Sequence, residues 1–289
     1  MRRIPESELI VNPDGTIFHL HLLPEQLADK IVMMGDPKRV DMAASLFDER
    51  ICSVQNREFK SVTGRYKGKQ VTAMSHGIGG DNIDIVLNEL DALANIDLET
   101  RTVKSEKRSL EIVRVGTSGS LQRDVPTGSY VISARSIGFD GVANFYADRN
   151  RVCDLDFEKA FVDYTGWSPL HAAPYVVSAD ASLLHRINAG DMVEGVTISA
   201  NGFYGPQGRV LRLMTEDPLL NGKIESFRYG DERIVNYEME GAALAALAAM
   251  LGHRAVTVCD IIAGRTDGTA DTKYSDGMMP LLEKVMERI

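Results

Sequence analysis

The chain has 289 residues, 44% of them hydrophobic, enough for a substantial buried core in one large or two smaller domains. A formal net charge of −9 argues against general binding to nucleic acid or anionic membrane, both of which reward broad basic surfaces. Any anionic ligand must therefore be met by local positive charge. Three widely spaced cysteines, Cys52, Cys153 and Cys259, form no Cys-x-x-Cys pair, which points to buried reduced thiols instead of a disulfide framework or thiolate zinc site. The first residues, Met1 to Glu8, lack the apolar run of a signal peptide, and no segment reaches about 18 consecutive apolar residues, so the cytoplasm is the expected compartment.

In chain order, residues 1 to 17 read as an extension that either frays or packs on a partner subunit, ahead of one domain over 18 to 289. Apolar and β-branched runs predict strands at Lys30–Met34, Gln70–Ser75, Glu111–Val115, Ser129–Ala134, Tyr175–Ser178, Gly195–Ser199 and Ala255–Ile262. Helical patterns cover Asn82–Ala94, Asp180–Ala189, Tyr237–Leu251 and Asp276–Ile289. The alternation predicts a single α/β domain, a mixed sheet covered by helices. The charged stretch 99 to 109 reads as an exposed connection.

Three strands are followed by turns suited to an anion. The first enters Gly35-Asp36-Pro37-Lys38-Arg39, where glycine admits close backbone approach, proline opens a helix and Arg39 lies in its first turn. The second enters Gly77-Ile78-Gly79-Gly80, again before a helix. The third carries Arg114 inside the apolar run Ile-Val-Arg-Val, followed by Gly116-Thr117-Ser118-Gly119. A guanidinium buried there needs either an anionic ligand or a structural carboxylate. Neither glycine turn has the Gly-x-Gly-x-x-Gly pattern, since Gly80 is followed by Asp81, Asn82 and Ile83, which weakens a dinucleotide reading. His19 and His21 would share a face on a strand but have no third metal ligand nearby in sequence, so no metal is expected.

Gly35-Asp-Pro-Lys-Arg39, Gly77-Ile-Gly-Gly80, Arg114-Val-Gly-Thr117 and Glu238-Met-Glu240 stand in an order that resembles the nucleoside phosphorylase family, which includes uridine phosphorylase and the hexameric purine nucleoside phosphorylases. The resemblance runs from about Phe18 to the C-terminus. It implies a three-layer α/β/α domain around a mixed, partly barrel-like sheet. It also implies Gly35, Arg39, Arg114 and Thr117 on phosphate, joined by Arg57 of a neighbouring subunit. Met239 and Glu240 would hold the ribose, and His19 would reach its 5′-hydroxyl across a subunit boundary. The segment Phe203-Tyr-Gly-Pro-Gln207-Gly-Arg209 resembles the uracil-reading segment of the family, with Ser118, Gly119 and Arg265 also near the base. A glutamine amide and a guanidinium suit uracil's two carbonyls and N–H.

The implied activity is reversible phosphorolysis of uridine to uracil and ribose 1-phosphate, a pentosyl transfer in pyrimidine salvage with phosphate as co-substrate and no cofactor. Arg114, Glu240 and Arg209 would be the residues closest to catalysis, in a homo-oligomer that is at least a dimer. The alternatives are a purine nucleoside phosphorylase and a non-catalytic nucleoside-binding protein of the same fold. Asp260 favours the purine alternative unless it caps a strand end or pairs with Arg265.

Overall fold

The structure is a computed structural model that describes residues 2–273 and 275–289. The first strand, β1 (Lys30–Met34), alternates its side chains between two cores. Ile31 and Met33 face one, Val32 and Met34 the other, which is why the run is apolar throughout. Asp36 caps α1 (Pro37–Ala44) by accepting from Lys38 N at 2.9 Å, with Pro37 in the first turn. Strands β2 (Glu49–Asn56), β3 (Phe59–Tyr66) and β4 (Lys69–Ser75) then form an antiparallel run. After it come α2 (Gly80–Asn95) and a short hairpin, β5 (Ile96–Asp97) with β6 (Thr102–Val103).

The long strand β7 (Glu111–Ser120) leads to β8 (Tyr130–Gly138), α3 (Leu155–Thr165), β9 (Tyr175–Ser178), α4 (Ala181–Asn188) and β10 (Val193–Ser199). The chain ends with α5 (Leu220–Ser226), β11 (Arg228–Tyr229), β12 (Glu232–Glu238), α6 (Gly241–Leu251), β13 (Arg254–Gly264) and α7 (Ser275–Arg288). Strand order is β11-β12-β10-β8-β13-β7-β1-β4-β3-β2, with β9 on β8. Because β12 also pairs with β7 through Asn236 and Tyr237, the strands β12-β10-β8-β13-β7 close into a five-stranded barrel. Helices α2 and α6 cover one face, through Leu87, Leu90, Leu244 and Leu247. Helices α1, α4 and α7 cover the other, through Val40, Leu183, Leu281 and Val285. The α/β/α layering and barrel-like sheet agree with the sequence reading.

Four expectations are corrected. The helix expected from Tyr237 starts at Gly241. Tyr237 and Glu238 finish β12, where Glu238 pairs with Ser199 of β10 and its carboxylate accepts from Gly241 N at 2.9 Å. Gly116 to Gly119 is not a turn but the second half of β7, held by β13 and, at Gly119, by β12. Gly116 is there for the side chain two residues back, since a Cβ would approach Arg114 Nη1 to 2.7 Å. Residues 2–17 pack on the chain's own body: Ile4 N donates to Arg101 O at 2.8 Å, and Leu9 and Ile17 join the core. Of the cysteines only Cys259 is fully buried, Cys52 and Cys153 being half-buried, and all are free. The stretch 99–109 is largely exposed, as expected, apart from its share of the small hairpin.

Candidate functional site

The parallel strands β1, β4 and β7 deliver Gly35, His76-Gly77 and the second half of β7 to one side of the sheet. Crevices at strand carboxyl ends are where open α/β sheets place ligands. A cavity of about 950 Å³ opens there. It is lined by Gly35, Arg39, Arg114, Thr117, Ser118, Gly119, Met239 and Glu240, and also by Phe203, Gln207 and Arg209. The four sequence motifs and the 203–209 segment thus converge on one space.

Arg114 is the centre of one cluster. Its side chain is 4% exposed and meets Glu238 through Nη1 at 2.9 Å and Glu240 through Nη2, those carboxylates being 1% and 7% exposed. The choice between an anionic ligand and a carboxylate partner is therefore no exclusive one: the guanidinium holds two carboxylates and still lines the cavity. Burial alone would lower the Arg114 pKa, but Glu240 and Glu238 outweigh it and the guanidinium is held charged. Glu240 is pushed upward by burial, reinforced by Glu238 and opposed by Arg114. Its Oε1 accepts from Gly79 N at 2.7 Å, so the second glycine turn, with Gly77 and Gly79 at φ +78° and +96°, supports this carboxylate. Glu238 has Ser199 Oγ, Glu240 N and Gly241 N as donors, a set that fixes its carboxylate in place.

A second cluster forms around Arg209. Its guanidinium lies 3.8 Å from the Phe203 ring centroid, and Nη1 donates to Phe203 O at 2.6 Å and to Gln207 Oε1. That bond uses one of the two lone pairs of the Gln207 amide oxygen, and the amide NH₂ supplies two donors. Arg265 Nη2 donates to Gln207 O at 2.8 Å and is not among the cavity-lining residues, whereas the sequence reading puts it near the base. Burial, then Arg265, bring the Arg209 pKa down to about 10, which leaves it cationic at neutral pH.

His19 and Arg57 do not line this cavity. Asn56 Nδ2 donates to His19 O at 2.8 Å, which joins the half-buried His19 to the turn carrying exposed Arg57 at φ +52°. His19 Nδ1 lies 2.6 Å from Glu89 Oε1. His21 has φ +52°, so the two histidines do not share a strand face. Among the described residues no group of three or more His, Cys, Asp or Glu could hold a metal ion. No helix among them is long and apolar enough to cross a membrane.

Asp260 departs from both of its expected structural roles. It is the seventh residue of β13, not its end, and Arg265 turns to Gln207 instead. It is buried and not among the cavity-lining residues, and its Oδ2 would lie 2.6 Å from a Cβ on Gly277 of α7. Burial, then Asp271, push its pKa up to about 6. Glu58, Asn82 and Tyr237 also line the cavity without a role assigned from sequence, as does Glu238, which the sequence reading places in the Glu238-Met-Glu240 motif without a role of its own.

The sequence model of the phosphorylase superfamily matches residues 29–289. The chain belongs to that superfamily. It is 30% identical over 258 residues to a uridine phosphorylase of Thermococcus kodakarensis, covering 87% of this chain and 79% of that protein. The uridine phosphorylase of Escherichia coli is 29% identical over 259 residues, with 86% and 87% covered. A DeoD-type purine nucleoside phosphorylase of Listeria welshimeri is 28% identical over 276 residues, with 93% and 99% covered. Among solved structures, a Trypanosoma brucei nucleoside phosphorylase described as showing uridine phosphorylase activity superposes with a TM-score of 0.88 at 29% identity, covering 97% of this chain and 98% of that one.

Proposed function

We propose that this superfamily member is a uridine phosphorylase, a pentosyltransferase that cleaves uridine with inorganic phosphate to uracil and ribose 1-phosphate in cytoplasmic pyrimidine salvage. The observation that carries the reading is one cavity lined by the Arg114 cluster, by Met239 with Glu240, and by the Phe203-Gln207-Arg209 group. Each part suits one third of the reaction. Arg39 and Arg114, with the Gly35 and Thr117 backbone, suit a phosphate, which is itself the nucleophile at C1′, so no protein nucleophile is required. Glu240 suits the 2′ and 3′ hydroxyls, and Met239 packs against the sugar between nucleophile and leaving group. The Gln207 amide and Arg209 suit uracil, where positive charge stabilises the anion that develops as the glycosidic bond lengthens. Phe203 supplies a stacking face, with Ser118 and Gly119 alongside and Arg265 holding the Gln207 backbone carbonyl.

The reading includes a homo-oligomer, at least a dimer, in which Arg57 and His19 complete a neighbour's cavity, on phosphate and on the 5′-hydroxyl respectively. Asp260, outside the cavity lining, lends no support to the purine alternative. The test is release of free base from uridine, thymidine, inosine and adenosine with and without phosphate. Phosphate-dependent release from uridine is expected; release from inosine alone would overturn the substrate, and none from any would favour a non-catalytic binding protein.

A further inference from the structure

His76 is the residue between β4 and the second glycine turn, and none of the roles above uses it. It is fully buried, its backbone N–H donates to Met34 O at 2.8 Å, and its ring Nε2 lies 3.3 Å from Arg114 Nε. Arginine nitrogens only donate, so Nε2 is the acceptor and the ring is the neutral tautomer with its proton on Nδ1. Burial, then the field of Arg114, hold the His76 pKa well below the ordinary value, which keeps the ring uncharged.

That neutrality matters for the charge of the cluster. Arg114 already faces Glu238 and Glu240. A third carboxylate at Nε would add a further negative charge beside a site meant for an anion, while an apolar side chain would leave a buried N–H without a partner. An imidazole fills the position as an acceptor without charge. Its bond at Nε, together with Glu238 at Nη1 and Glu240 at Nη2, fixes the guanidinium plane from three sides. The ring also underlies the first glycine turn, since a Cβ on Gly35 would lie 3.8 Å from His76 Cε1.

We propose that His76 is a positioning residue for the anion site: as a neutral acceptor at Nε it sets the plane of Arg114 for phosphate. This rests on the phosphorolysis reading. The test varies phosphate at saturating uridine, and uridine at saturating phosphate, for the wild type, His76→Leu, His76→Gln and His76→Asn. Leucine removes the acceptor, glutamine can put a carbonyl oxygen near the Nε2 position, and asparagine is too short to reach it. His76→Leu and His76→Asn are expected to raise the KM for phosphate about tenfold or more, with the KM for uridine changed by less than about threefold and His76→Gln recovering most of the loss. A role in packing alone would lower the melting temperature without this split or this rescue.

If His76→Leu does not fold, the comparison of His76→Gln with His76→Asn carries the same test. A phosphate KM that is unchanged in the acceptor-less variants, or raised equally in all three, overturns the proposal while leaving the phosphorolysis reading intact. Base release from wild-type enzyme that needs no phosphate overturns the reading, and the proposal with it.

Discussion

Replacing Arg114 by methionine tests whether the buried cluster is the structural as well as the chemical centre of the site. Methionine keeps much of the side chain's length and removes the charge that faces Glu238 and Glu240. With all three side chains 7% exposed or less, solvent cannot take over that pairing. Removing one partner of a buried ion pair costs about 3–5 kcal/mol because the other charge is left uncompensated. The two carboxylates do not share the loss equally. Glu238 keeps the donors Ser199 Oγ, Glu240 N and Gly241 N, whereas Glu240 keeps only Gly79 N among the bonds described.

Glu240 already has a raised pKa, from burial first and Glu238 second, and losing Arg114 raises it further. A carboxyl whose folded pKa exceeds its unfolded value of about 4.3 carries no penalty when both states are protonated and the full penalty once pH passes the folded pKa. The deficit of Arg114→Met should therefore be small near pH 4 and grow towards pH 8. Urea unfolding of both proteins across that range measures it, and Arg114→Met/Glu240→Gln should recover much of the loss at pH 8. A deficit that does not vary with pH, or a double variant no better than the single one, would refute this account of the cluster.

Arg209→Ala should reduce kcat for uridine at least about a hundredfold, the scale of losing a charge stabiliser in the transition state, while phosphate binding by calorimetry stays near the wild type; equal loss of both would remove Arg209 from the base end. Asp260→Asn should leave base preference unchanged, and its melting temperature should gain on the wild type as pH rises from 4 to 7, because the native carboxyl is held up to about 6; a changed preference between uridine and inosine would return Asp260 to the base site. Gly79→Ala, at φ +96° and donating to Glu240, should cost about 1–3 kcal/mol of stability and lower activity; a variant as stable and active as the wild type would show that the turn tolerates a side chain.

Much of this was legible in the sequence where a pattern is local. Strand β1 and β9 have the limits that their apolar runs indicate, and Pro37 marks the first helical residue because its missing N–H and fixed φ suit that position. Strands β2 and β3 were not legible: β2 is a largely exposed edge whose Glu-Arg-Ile-Cys-Ser-Val-Gln-Asn sequence carries little apolar signal. The start of α6 was misread because Tyr237 and Glu238 continue a helical pattern, while what makes them a strand is pairing with β10 and β7, remote in sequence. The site divides the same way. Arg114 stood out as a charge in an apolar run, but its partner Glu240 is 126 residues away and its neighbour His76 is 38 away, distances at which spacing says nothing.

The central claim, that the cavity serves phosphorolysis of a uracil nucleoside, is tested most directly by following free base from uridine and inosine with and without phosphate. The account predicts uracil released from uridine only when phosphate is present, with ribose 1-phosphate formed in equal amount and little turnover of inosine. Uracil released without phosphate, or inosine cleaved in preference to uridine, would contradict it.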